Sequence, residues 1–422
     1  MTDLREVDPT AAPGAAIAAD AADERLIRVV SPADYVRQLW SRVKGGELGM
    51  MPVVLGLIII CTVFYAYEPT FLSSRSLVTM MQFAAPGGII ALGIVIVLLL
   101  GEIDLSVGSV SGFAAAVMAV LLVDQGRSLW LAMGAAILVG VLIGAFYAAL
   151  FIWVGVPSFV FSLAGLLAFE GALLWVLSDG SINVPRDSGI AEFAREKFLT
   201  DGQAYILVAV LTLGYLGSRL WEIRQRQAAG LTPPNLLGVI LKTVAIGGGL
   251  GWLTYYLGVG RGWGYLFVLF AALVLLMDFL LRRTRWGRHL FAVGGNEEAA
   301  RRSGIKVGLV YCSAFVLCST FAALGGILAA AQLTSVSQTS GTGDTNLTAI
   351  AAAVIGGTSL FGGRGSAYAA LLGILVLQAI ESGLNLMNVD SDVRFIVTGG
   401  VLLLAVAIDS VARRARSSSG RG

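Results

Sequence analysis

The chain has 422 residues, of which 57% are hydrophobic and 13% are charged, whereas soluble domains carry about 25% charged residues. Its mean hydropathy is +0.82 and its formal net charge is +2. This composition excludes an ordinary soluble domain and predicts an all-α protein that crosses the membrane many times. The near-neutral charge and scattered basic residues give no indication of a nucleic-acid partner.

Neither a metal site nor a disulfide framework is expected. The three cysteines, Cys61, Cys312 and Cys318, lie in apolar runs, and no His, Cys or carboxylate cluster has metal-ligand spacing. No lysine follows a glycine, so the sequence lacks the GxxxxGK phosphate loop. We therefore expect no enzyme activity and no ATP site in this chain.

The N-terminal segment, residues 1–49, is rich in Ala and Asp and lacks the apolar core and cleavage site of a signal peptide. We expect a cytoplasmic tail, with an amphipathic piece over residues 31–43. A membrane domain would then cover residues 50–410, followed by a basic cytoplasmic tail over residues 411–422.

Apolar runs near the length of about 20 residues that a membrane helix needs recur along the rest of the chain. Twelve spans are predicted, at residues 51–67, 84–100, 107–123, 129–153, 158–177, 204–220, 236–257, 265–281, 307–331, 347–361, 367–386 and 393–408. The run 347–361 is short and glycine-rich, so ten or eleven spans plus a re-entrant segment would also fit. An even count with the N-terminus inside puts most Lys and Arg in cytoplasmic loops.

The stretch "GEIDLSVGS" from Gly101 places two carboxylates directly after a run without charge. Charged groups at membrane depth need a turn, water or a protected site. The flanking glycines predict a sharp helix break, in which Asp104 and Ser106 can cap the next helix. A direct role in a transport pathway or in contact with a partner is the alternative, and Glu102 has less of a structural explanation.

Residues 178–203 form the one long outer loop, in which "AEFAREKF" can be a surface helix. The loop is either a contact for an outer partner or a solvated connector.

The longest cytoplasmic loop, residues 282–306, contains a short helix signal. Gly294 and Gly295 allow a tight turn, and Asn296 is a good N-cap. The helix dipole favours acidic residues in the first turn and basic ones in the last, and a glycine then ends the helix. The residues in those places are Glu297, Glu298, Ala299, Ala300, Arg301, Arg302, Ser303 and Gly304. The segment is either a solvated connector or a docking helix for a soluble motor.

Polar residues in the later apolar runs are candidates for the wall of a pathway. They are Asn346, Thr348, Thr358, Ser359 and Asn385. Each could instead bond a neighbouring helix, and the glycines of "IGGTSLFGGRGS" suit close helix packing as well as pathway lining.

Several of these motifs together resemble one family. "GEIDLSVGS", "VPSFVFSLAGLLAF", "GRHLFAVGGNEEAARRSGI", "AIAAAVIGGTSLFGGRGS" and "ESGLNLM" occur in the order seen in permease subunits of bacterial ABC sugar importers of the ribose and xylose type. The length and the extra segment "RLWEIRQRQAAGLTPPNLLG" are more similar to the xylose branch.

The resemblance implies a multi-pass inner-membrane permease, surrounded by lipid and paired as a homodimer. Separate cytoplasmic ATPase subunits would bind ATP and magnesium, and a periplasmic binding protein would deliver the sugar. Asn296 to Gly304 would be the coupling helix that docks into the ATPase.

Glu170 departs from the family pattern, in which an arginine is common at this place. An ion-coupled secondary transporter that uses Glu102, Asp104 or Glu170 is therefore kept as the alternative function. A membrane receptor without transport is disfavoured because the chain has no sizeable soluble domain.

Overall fold

A computed structural model describes residues 50–178, 180–229, 234–394, 396–401 and 403 of the chain. It confirms the all-α class, with one short two-stranded sheet among the described residues. In chain order the helices are α1 (Met51–Tyr67), α2 (Ser74–Leu99), α3 (Val107–Ala119), α4 (Leu129–Ala149), α5 (Ser158–Val176), α6 (Gly189–Arg195), α7 (Asp201–Ala228), α8 (Leu236–Gly258), α9 (Tyr265–Arg283), α10 (Arg285–Gly295), α11 (Glu297–Arg302), α12 (Val307–Leu333), α13 (Thr345–Ile355) and α14 (Tyr368–Leu386).

Shorter elements complete the chain. A 3-10 turn covers Pro69–Leu72, and π-helical turns extend α3 over Val120–Asp124 and α4 over Leu150–Val154. The strands are β1 (Ser181–Asn183) and β2 (Ser335–Ser337).

Within the described part of the chain, nine helices are long and apolar enough to cross a membrane, and α1 and α13 are shorter apolar helices. These eleven elements match the first eleven predicted spans. The twelfth, 393–408, is described in part, and its residues 393, 394, 396–401 and 403 are helical. Both predicted tails and the amphipathic piece 31–43 lie outside the described residues.

Three predicted boundaries are wrong. The tenth span ends at Ile355 and not at residue 361, because a turn begins at Gly356 and Gly357. The second span starts at Ser74, because the Ser73 hydroxyl caps the amide of Ser76 and polar residues form its first turns. The sixth runs over Asp201–Ala228, with a capping box between Thr200 and Gln203 at its start. Ion pairs of Glu222 with Arg219 and Arg226 stabilise its polar C-terminal end.

The core is built around α2 and α12. The most apolar window of α2 is 89% buried and that of α12 is 72% buried, so both helices are apolar on all sides because they are packed on all sides. The corresponding window of α7 is not buried at all. α7 and α8 therefore present their apolar side chains to lipid at the edge of the protein.

The loop 178–203 folds over the end of α12. Strand β1 pairs antiparallel with β2, with Ser181 opposite Ser337. The surface helix predicted in "AEFAREKF" is confirmed as α6, whose Ile190, Ala191 and Ala194 are buried. Arg195 donates from Nη1 to the carbonyl of Gln332 at 3.0 Å. The loop is thus a packed cover for this end of the helix bundle.

The orientation can be tested with single cysteines in a background that lacks Cys61, Cys312 and Cys318. Arg186 is exposed between β1 and α6, and Arg302 is exposed at the end of α11. The positive-inside rule places α11 in the cytoplasm. A membrane-impermeant maleimide should label Arg186→Cys in intact cells, and label Arg302→Cys only after the membrane is opened. Labelling of both from the same side would contradict the assigned topology.

Candidate functional site

The predicted break after α2 is present. α2 ends at Leu99 and α3 begins at Val107. The amide of Gly101 donates to the carbonyl of Leu98 at 2.9 Å, and the amide of Glu102 donates to that of Val97 at 3.2 Å. This is a Schellman end, which satisfies two carbonyls that the helix would otherwise leave open. The chain then crosses from α2 to α3 in non-helical backbone.

Asp104 and Ser106 form a closed polar network inside this break. Asp104 is 1% exposed, and its Oδ1 accepts from the amide and the hydroxyl of Ser106 at 2.8 and 2.7 Å. The hydroxyl of Tyr147, on α4, donates to Ser106 Oγ at 2.8 Å. Neither Asp104 nor Ser106 makes a side-chain cap on α3, so the predicted capping role is wrong. The two residues instead stabilise the turn by the bonds between them and hold it to α4 by the bond between Ser106 and Tyr147.

The cap on α3 comes from Asn346, far away in the sequence. Its Oδ1 accepts from the amide of Gly108, in the first turn of α3. Asn346 lies in the first turn of α13, so the N-terminal turns of the two helices meet here. A Cβ at Gly108 would lie 2.3 Å from the carbonyl oxygen of Gly341, which requires a glycine. The positive ends of two helix dipoles are therefore brought close together.

A cavity of about 340 Å³ lies beside this meeting point, and we call it the central cavity. Thr348, one of the predicted wall residues, lines it, together with Gly341 from the loop before α13. Other polar residues of its wall were not among the predicted wall residues. They are Ser111, Gln332, Ser335, Ser340, Asp344, Thr345, Gln378 and Glu381.

Two further cavities adjoin the central one. A cavity of about 460 Å³ beside α14 is lined by Asn385, which was predicted as a wall residue, and by Arg75. A cavity of about 390 Å³ beside α6 is lined by Arg75 and Gln332. Phe83 of α2 lines all three cavities. We call the three together the outer vestibule.

Thr358 and Ser359 lie in the second break, after α13, and outside the vestibule lining. Thr358 is 2% exposed and its amide donates to the carbonyl of Ala353 at 3.0 Å. Ser359 donates its amide to the carbonyl of Arg364 at 2.9 Å and accepts from the amide of Phe361 at 3.2 Å. These bonds shape the turn, in agreement with the packing interpretation of "IGGTSLFGGRGS".

Three backbone segments meet where the two breaks touch the cytoplasmic loop. The amide of Gly363 donates to the carbonyl of Leu99 at 2.9 Å. A Cβ at Gly294, near the end of α10, would lie 1.8 Å from the same carbonyl oxygen. Gly294 is thus in direct backbone contact with the end of α2 and next to the second break. We call this three-segment contact the backbone junction.

The predicted helix after the junction is confirmed as α11. Asn296 Oδ1 accepts from the amide of Ala299 at 2.9 Å, and Glu297 and Glu298 occupy the first turn. Arg301 pairs with Glu297 at 2.6 Å and Arg302 with Glu298 at 3.0 Å. Its Ala300 is buried, whereas Glu298, Ala299, Ser303 and Gly304 are exposed along with both arginines. The helix is therefore anchored on one side and open on the other.

Glu102, in the first break, interacts electrostatically with Glu297 of α11. It is half-buried. Burial raises the pKa of the Glu102 carboxyl, a hydrogen bond with Ser158 lowers it, and the neighbouring Glu297 carboxylate raises it. The hydroxyl of Tyr311 donates to Glu297 Oε2 at 3.2 Å. Glu102 thus faces the cytoplasmic loop and not the outer vestibule.

Glu170, the departure from the family pattern, lies on α5 and is partly exposed. It is absent from the lining of the outer vestibule. Glu170 lies twelve residues along α5 from Ser158, which bonds Glu102, a distance of about 18 Å by helix rise. The structure therefore does not bring Glu102, Asp104 and Glu170 together into one site.

Comparison with known proteins agrees with these features. A family model for the permease component of branched-chain amino acid transport systems matches residues 76–406. The chain is 34% identical to the xylose transport system permease protein XylH of Escherichia coli strain K12, over 86% of this chain and 92% of the relative. It is 32% identical to XylH of Haemophilus influenzae, over 87% and 98%. It is 30% identical to the ribose import permease protein RbsC of Bacillus subtilis, over 86% and 94%.

No solved structure matches the chain at a significant level. The family match covers most of the chain, which therefore belongs to this family of transport-system permease components. Permease components are not themselves enzymes. Together with the apolar helices, the relatives make this chain a multi-pass protein of the bacterial inner membrane. The resemblance to ribose and xylose permeases is confirmed.

The bond between Asn346 and Gly108 should contribute measurably to stability. Asn346→Ala leaves the buried amide of Gly108 without its acceptor, which costs about 1–3 kcal/mol. Thr348→Ala, on the same helix, keeps that bond and is the matched control. We expect a lower thermal unfolding temperature in detergent for Asn346→Ala alone. Equal unfolding temperatures for the two variants would refute the cap.

Proposed function

We propose that this chain is the permease subunit of an ATP-driven importer that moves a monosaccharide into the cytoplasm, with xylose and related aldoses as first candidates. The observation that carries the proposal is the 34% identity to a xylose permease over 92% of that protein. The family match over residues 76–406 includes both breaks, the loop with α11 and most of the vestibule wall.

The chemistry of the outer vestibule supports a neutral polyol as cargo. Hydroxyl, amide and carboxylate groups line it, from Thr348, Gln332, Gln378 and Glu381 among others, and such groups exchange hydrogen bonds with sugar hydroxyls. Small-molecule sites combine a few polar groups with apolar and aromatic walls in this way.

The ion-coupled alternative receives less support. The Asp104 carboxylate is enclosed by Ser106 and Tyr147, and Glu102 faces α11 across from Glu297. Glu170 lies elsewhere on α5. A cation carrier would need such carboxylates to line its route, and these three do not share one.

The proposed partners follow from the same assignment. This chain has no ATP site of its own, and a separate cytoplasmic ATPase subunit binds ATP and magnesium. α11 docks into that subunit through its exposed side, which presents Glu298, Arg301 and Arg302. A periplasmic binding protein delivers the sugar to the outer face around α6, and two copies of the permease form a homodimer within the lipid.

The route of coupling runs through the backbone junction. A displacement of α11 moves Gly294, which abuts the carbonyl of Leu99. That carbonyl also holds Gly363 of the second break. Both helix breaks therefore move with α11, and the N-terminal turns of α3 and α13, beside the central cavity, move with the breaks. In this way, contacts between backbone segments transmit the ATP-driven motion of α11 to the helices that line the sugar pathway.

The direct test is uptake into proteoliposomes that contain this chain, its candidate ATPase and its candidate binding protein. Labelled xylose, ribose, glucose and galactose are supplied one at a time, with ATP and magnesium or with ADP inside. We expect ATP-dependent uptake of at least one sugar and none without the ATPase. Uptake that proceeds without the ATPase and collapses with an ion gradient would establish the ion-coupled mechanism instead.

A further inference from the structure

Phe83 has an unusual environment for an aromatic side chain on a membrane helix. It is 49% exposed, whereas its neighbours Ala84 and Ala85 are fully buried and Gln82 is 7% exposed. Its ring does not simply face lipid, because it lines all three cavities of the outer vestibule. The side chain is thus a large apolar surface placed among polar groups.

The face of α2 that carries Phe83 continues along the vestibule. Arg75 and Thr79, two turns and one turn earlier, line the cavities beside α14 and α6. Gly87 and Ile90, further along the helix, line the central cavity. Residues spaced by three or four lie on one side of a helix. One stripe of α2 therefore runs from the rim of the vestibule into its centre, and Phe83 lies at the middle of the stripe.

Polar groups of α14 share two of these cavities with Phe83. Gln378 and Glu381 line both the central cavity and the cavity beside α14. Gln378 Nε2 donates to Glu381 Oε2 at a long 3.4 Å. Glu381 keeps most of its acceptor sites and Gln378 keeps a second N–H and its carbonyl oxygen. These groups can accept hydrogen bonds from the hydroxyls of a ligand, and the Gln378 amide can also donate one to a hydroxyl oxygen.

A sugar ring has the matching chemistry, with C–H groups on one face and hydroxyl groups around its edge. We propose that the outer vestibule is a binding site for a neutral aldose in its ring form, with Phe83 stacked against the C–H face and Gln378 and Glu381 bonded to hydroxyls. The proposal rests on the proposed function for the class of cargo. It adds the site that receives the sugar on the outer side of the permease.

The carboxylates also define which sugars fit. Asp344 and Glu381 both line the central cavity, and like charges repel strongly where solvent is limited. The central cavity therefore favours uncharged aldoses over uronic acids and sugar phosphates, whereas Arg75, Arg195 and Arg261 make the cavity beside α6 basic.

The test uses the complete complex in proteoliposomes and compares Phe83→Tyr with Phe83→Leu. Both keep a bulky apolar body at this position, and only tyrosine keeps the aromatic face. Phe279→Leu is the matched control, because Phe279 of α9 is 59% exposed and lies outside the vestibule lining. We expect Phe83→Leu to raise the KM for the sugar about tenfold, Phe83→Tyr to raise it much less, and Phe279→Leu to leave it near that of the unsubstituted protein.

A second measurement needs only the permease in membranes. Thr79→Cys, without the native cysteines, places a thiol one turn from Phe83. A neutral aldose at saturating concentration should slow its reaction with a small maleimide, and an unchanged reaction rate would overturn the site. Adding Phe83→Leu should abolish the protection.

The outcomes separate the two proposals. An unchanged KM in Phe83→Leu, while the unsubstituted complex transports sugar, overturns the vestibule site and leaves the importer function intact. A changed oligomeric state with unchanged KM assigns Phe83 to a contact between copies and also overturns the site. If the unsubstituted complex transports no monosaccharide, the proposed function and the site fail together.

Discussion

The structure depends on how a membrane protein satisfies its backbone where helices are interrupted. Each exposed amide or carbonyl in hydrocarbon costs several kcal/mol, so non-helical backbone is tolerated only when other protein groups bond it. Here the backbone groups of the two breaks are bonded within the protein. The amide of Gly363, in the second break, donates to the carbonyl of Leu99 at the first. Asn346, in the first turn of α13, caps α3 by accepting from the amide of Gly108. The breaks are consequently one mechanical unit, although they are far apart in the sequence.

That unit is joined to the cytoplasmic surface by the close approach of Gly294 to Leu99. The joint matters because α11 is exposed on one side and anchored on the other, through Ala300 and the bond between Tyr311 and Glu297. A partner that pulls on α11 acts on rigid backbone contacts and not on flexible side chains. α3, which follows the first break, and α13, which precedes the second, both line the central cavity, so the contacts of the proposed coupling route also stabilise the fold there.

Local signals in the sequence predicted local features well. Apolar run length located eleven membrane elements, and the pattern Asn-Glu-Glu…Arg-Arg-Ser-Gly predicted α11 with its cap and both ends. The glycine at 101 predicted the end of α2. Each of these depends on residues within one or two helical turns, which the sequence places side by side.

Features that depend on distant residues were missed or misassigned. Asp104 and Ser106 have the right chemistry to cap α3, but the cap comes from Asn346, and no local pattern shows that pairing. The vestibule was found only in part, through Thr348 and Asn385. Phe83 reads as an ordinary apolar residue just before a predicted span, and its significance emerges only when α2, α12 and α14 are packed together. The carboxylate within "ESGLNLM" was the one local signal that could have directed attention to Glu381.

The most direct test of this account compares two adjacent glycines. A Cβ at Gly294 collides with the carbonyl of Leu99, whereas a Cβ at Gly295 meets nothing within 4 Å. Gly294→Ala and Gly295→Ala are therefore nearly identical changes with opposite consequences for the backbone junction. ATP hydrolysis and sugar uptake are measured for both in the reconstituted complex. We expect Gly294→Ala to retain hydrolysis and lose most uptake, while Gly295→Ala retains both. Normal coupling in Gly294→Ala, or equal losses in both variants, would contradict this expectation.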